Sequence, residues 1–165
     1  MAKNLEVVIG EKLRAHGLRL ALAESCTGGL VGHRLTNVPG SSTYYMGSVT
    51  AYAYEAKVRL LGVSWETLEK HGAVSAETVG EMARGARRSL AADLGLAISG
   101  IAGPGGGTPE KPVGLVWIGI SAPDGIWTRK FNFKGERLAV KEQAAEEALQ
   151  LGIDYLGGNL KKPKS

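Results

Sequence analysis

One hundred and sixty-five residues, 44% hydrophobic and 22% charged, suffice for one globular core and are too few for two comfortable ones. No apolar run approaches the roughly 18 residues of a membrane span, the start MAKNLEVVIGEKLRAHG lacks a signal peptide's apolar segment, and one cysteine permits no intrachain disulfide; a cytoplasmic protein without membrane contact is expected. The formal charge of +4 is spread over helical segments and a basic end, LKKPKS, with no interleaved aromatic platform, which argues against nucleic acid and suits a small anionic substrate.

In chain order, Leu5, Val8, Ile9 and Leu13 recur at helical spacing and Gly17 follows, so residues 4–16 predict a helix. LRLALAE predicts a strand, TGGLVGHRLT a short helix, and NVPGSS a turn-rich loop. TYYMGSVTAY, residues 43–52, is rich in aromatic and β-branched residues and predicts a second strand. YEAKVRLLG and SWETLEKHG follow as helices, and Ser75 caps a longer one in which Ala76, Val79, Ala83, Ala86 and Leu90 share a face. LGLAISG predicts a third strand. Residues 100–114, GIAGPGGGTPEKPVG, hold too much Gly and Pro for a regular element, and a long loop of this kind is often functional. LVWIGISA and IWTRKFNF flank the turn signal PDG and make a hairpin. A last helix starts near Glu136 and carries Leu138, Ala145, Ala148, Leu149 and Gly152 inward.

This order predicts an α/β fold in three layers, α/β/α, with a mixed sheet and a late antiparallel hairpin. It forms one domain with its core at about 5–156 and a flexible basic tail at 157–165. Ligands in such sheets gather beyond the carboxyl ends of strands, which brings the ends of the first three strands into one cleft.

Three nucleophilic side chains, Ser25, Cys26 and Thr27, crowd the first strand-to-helix turn, followed by Gly28 and Gly29. Local chemistry favours a helix cap over a nucleophile here, with Thr27 as the cap once Ser25 is read as the attacker; in the second reading the free N–H groups of Cys26, Thr27 and Gly28 bind an oxyanion or anion. His16, His33 and His71 lie in or at the end of helical patterns, and no G-x-S-x-G or S-x-x-K motif is present, so a serine here would need a lysine base. Lys57 is the candidate, with Tyr52 five residues before it; a solvated lysine and a plain strand tyrosine are the alternatives. Backbone N–H groups around Gly103, Gly105 and Gly106 suit an anion, although the P-loop spacing fails. Arg137, in a helix's first turn, calls for an anion or a carboxylate partner such as Glu136.

The segments AESCTGGLVGHRLTNVPGSS, YAYEAKVRLLGV, GAVSAETVGEMARGAR, SGIAGPGGG and FKGERLAV, in this order, resemble the carboxy-terminal domain family of the competence/damage-inducible protein CinA, over nearly the whole chain. The family includes bacterial amidohydrolases that convert nicotinamide mononucleotide to nicotinate mononucleotide and ammonia without metal or other cofactor. The resemblance implies Ser25 as nucleophile, Lys57 as general base and Tyr52 as an assisting hydroxyl. Lys57 would take the serine proton directly or through Tyr52, with Arg137 on the substrate or in the hydrogen-bond network. Ser99 stands where the family often has threonine and keeps the hydroxyl. Longer members add an amino-terminal nucleotide-pyrophosphatase-like domain that this sequence does not contain, so the resemblance reaches the amidohydrolase half alone. A small nucleotide substrate and a homo-oligomer, most simply a dimer, are the expected partners. A non-catalytic nucleotide- or protein-binding module and a Ser-Lys peptidase or esterase are the competing classes.

Overall fold

The alternating segments become five strands and six helices in the computed structural model, which describes residues 3–163. The strands are β1 (Leu20–Glu24), β2 (Tyr45–Thr50), β3 (Leu94–Gly100), β4 (Leu115–Ala122) and β5 (Gly125–Asn132). The helices are α1 (Leu5–His16), α2 (Leu30–Thr36), α3 (Tyr54–Leu61), α4 (Trp65–His71), α5 (Ala76–Ser89) and α6 (Arg137–Leu156). The sheet order is β2-β1-β3-β4-β5, with β2, β1 and β3 parallel, β4 antiparallel to β3, and β5 antiparallel to β4. Every residue of β1 is buried, as its unbroken apolar run LALA anticipates for a central parallel strand.

Two cores lie on opposite faces of the sheet, which makes the architecture α/β/α. Ile9, Leu13, Leu22, Leu35, Ile98 and Leu149 join α1, α2 and α6 to one face. On the other, the small residues Ala21, Ala23 and Ala97 let α5 approach closely, with Val79, Met82 and Leu61 filling the layer. The approach between helices is equally tight: a Cβ added to Gly85 of α5 would overlap the Leu61 carbonyl at the end of α3. Ser64 and Ser75 cap α4 and α5 by accepting the N–H of Thr67 and Thr78. Among the described residues no helix is long and apolar enough to cross a membrane.

Four expectations shift. The predicted 43–52 strand shortens to Tyr45–Thr50, because residues 41–43 wind into a 3-10 turn and the chain leaves the sheet before Tyr52. The predicted 27–36 helix begins only at Leu30, because Gly28 and Gly29 take positive φ values of 60° and 103°, outside the helical range. Leu138, expected inward, is 70% exposed: it shares the stripe of Ala145, but the first turn of α6 overhangs the end of the sheet, where no core lies beneath it. The segment after α6, expected as a free tail, folds back over the hairpin, where the Lys161 carbonyl accepts the indole N–H of Trp127 at 2.6 Å and Leu160 packs on the core.

Candidate active site

Because β2, β1 and β3 run parallel and adjacent, their carboxyl ends share one edge of the sheet, and the chain leaves β1 toward β2 on one side and returns to β3 on the other. Such a switch point opens a crevice. Ser25 follows β1, Ala51 and Tyr52 follow β2, and Ser99 and Gly100 end β3, so the topology alone brings these segments together.

The turn that carries Ser25 is held by the residue before it. Glu24 is fully buried, and its carboxylate accepts the Thr27 hydroxyl at 2.6 Å and the N–H groups of Gly29, Val31 and Gly32 at 3.0–3.2 Å. It therefore takes the capping role for α2 that the sequence offered to the hydroxyl residues of this turn. Thr27 cannot serve as cap, since the helix starts beyond its reach, and its side chain turns to Glu24 rather than to a ligand. Within the turn the Ser25 N–H donates to the Ile98 carbonyl and the Gly28 N–H to the Ser25 carbonyl. Gly28 is thus removed from the expected set of anion donors. Among the described residues the Cys26 and Thr27 N–H groups have no acceptor.

Lys57 is the fourth residue of α3 and is 1% exposed. Its Nζ lies 3.0 Å from Ser25 Oγ, 2.8 Å from the Ala51 carbonyl and 3.1 Å from the Tyr52 carbonyl. Burial lowers its pKa from the ordinary lysine value, only partly opposed by the neighbouring Cys26. The partners fix what a neutral amine would do. Both carbonyls can only accept, so they take its two N–H groups, and its lone pair is left facing the one partner able to donate, the Ser25 hydroxyl. Cys26 offers no comparable nucleophile: it is 6% exposed, and burial pushes its thiol up to about 12.

Ser25, Cys26, Tyr52, Lys57, Ser99 and Arg137 line a cavity of about 210 Å³, walled on the far side by Ala73 and Val74. Ser99 is buried and donates to the Ala73 carbonyl at 2.7 Å, which pins the α4–α5 turn against the cavity. Tyr52 is 63% exposed, and its hydroxyl meets the Arg137 guanidinium at 3.1 Å rather than Ser25 or Lys57. Arg137 also donates to the Gly103 carbonyl at 2.7 Å, so it bridges the β2–α3 connection and the glycine-rich loop. Among the described residues it has no carboxylate partner, which sets aside the expected pairing with Glu136. Beyond Arg137 a wider groove of about 740 Å³ continues between Pro104, Val113 and Leu138. Gly105 and Gly106 line neither space, and Gly103 enters through its carbonyl, an acceptor unsuited to an anion.

Reading the sequence missed Glu24, the Ala73–Val74 wall and the groove residues Val113 and Leu138. A carboxylate closing an apolar strand just before a glycine pair was the available signal for Glu24; nothing local marked the others.

A family model for the CinA C-terminal domain matches residues 2–156. The chain belongs to that family. A CinA-like protein of Chloroherpeton thalassium is 50% identical over 159 residues, which is 94% of this chain and 38% of the relative. Crystal structures of competence/damage inducible protein CihA from Agrobacterium tumefaciens and of a CinA superfamily protein from Klebsiella pneumoniae are 35% and 37% identical. They superpose with TM-scores of 0.88 and 0.90, covering 95% and 93% of this chain and 98% and 96% of their own. The chain spans about a third of the length of the curated relatives it matches.

Proposed function

We propose that the chain is an amidase in which Lys57 activates Ser25, and that it converts the carboxamide of nicotinamide mononucleotide to the acid, releasing ammonia. The observation that carries this reading is the 3.0 Å contact between Lys57 Nζ and Ser25 Oγ, in a setting where both other partners of the amine are carbonyls. A buried lysine with lowered pKa beside a hydroxyl is the arrangement a serine nucleophile without histidine requires.

Lys57 accepts the Ser25 proton as Oγ forms a bond to the carboxamide carbon. The direct contact makes relay through Tyr52 unnecessary, and Tyr52 instead positions Arg137. The Cys26 N–H, next to the nucleophile and without an acceptor, is placed for the developing oxyanion, with the Thr27 N–H as a second donor. Lys57 then returns the proton to the leaving nitrogen as the C–N bond breaks. Water, deprotonated in turn by Lys57, attacks the acyl-serine, and the carboxylic acid leaves as Ser25 regains its proton. The 210 Å³ cavity is sized for one aromatic ring, and Arg137 at its mouth faces the remainder of the substrate.

The test is ammonia release from nicotinamide mononucleotide by the wild type and by Ser25→Ala. Wild-type turnover abolished in the variant supports the reading. Turnover of simple esters or peptides with none of the nucleotide would replace it with a Ser-Lys esterase or peptidase.

A further inference from the structure

Lys141 occupies α6 one turn after Arg137, at the i, i+4 spacing that places two side chains on one face of a helix. It is half-buried, yet among the described residues its ammonium donates to no carbonyl and pairs with no carboxylate. Two other half-buried cations of the same layer are paired, Arg34 with Glu6 and Glu146, and Arg129 with Asp154. Lys141 Nζ lies 3.9 Å from the point where a Cβ on Gly28 would stand, and its charge acts on the Cys26 thiol that lines the cavity. Glu24, the one buried carboxylate among the described residues, forms no ion pair with it; Glu24 Oε1 accepts from Thr27, Gly29 and Val31, and Oε2 from Gly32.

We infer that Lys141, with Arg137 one turn before it, holds the phosphate of the substrate against the Gly28–Gly29 turn. Arg137 spends two of its five donors on Gly103 and Tyr52, whereas Lys141 has all three available. The glycine pair leaves the space beside the ammonium free of side chains: a Cβ on Gly28 would meet only Lys141, and one on Gly29 nothing. Gly28 is three residues past Ser25 in a closed turn, a span below about 7 Å between Cα atoms, so a small nucleotide can touch both ends. The ligand class is a phosphomonoester; the amidase reading enters only in naming the molecule that carries it.

The experiment uses two arms so that the two readings fail separately. In the first, the ¹⁵N-labelled full chain is titrated with inorganic phosphate and with phenyl phosphate. The amides of Cys26 to Gly29 should shift saturably in the wild type, about tenfold more weakly in Lys141→Met, which keeps the apolar stem, and near wild type in Lys141→Arg. In the second, the kcat/KM preference for nicotinamide mononucleotide over nicotinamide riboside should fall about tenfold or more in Lys141→Met, through KM, and should lessen with added salt in the wild type. Shifts that depend on Lys141 without ammonia release overturn the amidase reading and leave the phosphate site standing. Absence of wild-type shifts, or equal shifts in Lys141→Met, overturns the phosphate site whatever the enzyme does.

Discussion

Replacing Lys57 separates chemistry from packing, because its three contacts differ in kind. Lys57→Met fills the same space with an apolar chain, while Lys57→Arg keeps donors for the Ala51 and Tyr52 carbonyls but cannot accept a proton near neutrality. Removing a positioned base costs about 10²–10⁴-fold in rate, equivalent to roughly 3–5 kcal/mol of barrier, so both variants should lose kcat by at least about a hundredfold. The wild type should show an ascending kcat/KM limb centred below the ordinary lysine value of 10.5, since burial lowers the pKa and only the neutral amine can act. Stability carries the same signature. Above the lowered pKa the folded chain holds one proton fewer than the unfolded chain does until pH passes 10.5, so unfolding free energy rises with pH across that window. The slope is up to about 1.4 kcal/mol per pH unit, and Lys57→Met should lose that increment. Ammonia release and urea unfolding between about pH 6 and 10 measure both. Turnover in Lys57→Arg within about tenfold of wild type, or an unchanged pH slope in Lys57→Met, would refute the assignment of the base.

Further outcomes follow from the same geometry. Cys26→Ala, which keeps the backbone N–H, should retain kcat within an order of magnitude, and the native thiol should resist iodoacetamide at pH values well below about 12. Glu24→Gln replaces one acceptor oxygen with a donor facing N–H groups that need acceptance, so thermal unfolding should show a loss of roughly 2–3 kcal/mol. Gly85→Ala forces α5 off the Leu61 carbonyl; it should destabilise by roughly 1–3 kcal/mol and also reduce kcat, because α3 carries Lys57. Wild-type kinetics in a folded Gly85→Ala would show that α3 tolerates the shift.

Much of this architecture is legible in residue order. The unbroken apolar run of β1, the Gly17 stop after α1 and the Ser75 cap of α5 are each local in cause, so the elements can be read without the fold. The meeting of Ser25 with Lys57, 32 residues apart, is not local: it depends on parallel pairing of β1 with β2, so residue order could offer Lys57 only as a candidate base beside a solvated alternative, and the family resemblance paired the two. Thr27 and Glu24 illustrate the limit. Propensity favours a threonine cap, but two glycines displaced the helix start, and a carboxylate that reads as the polar end of a strand reached the orphan N–H groups instead. Leu138 failed for a similar reason, since periodicity reports which face a residue occupies and not whether anything lies beneath that face.

The Ala51 N–H donates to the Glu24 carbonyl, extending the β1–β2 ladder one step past its last paired residues, Glu24 and Thr50. The nucleophile and the two carbonyls that orient its base therefore sit on opposite rails of a single ladder, and β2 is one of the sheet's two outer rails. A slip of one residue there would carry Ser25 about 3.3 Å from Lys57, more than their present separation. Loss of turnover on warming thus becomes a gauge of fraying at that border, and it should precede the collapse of the central strands.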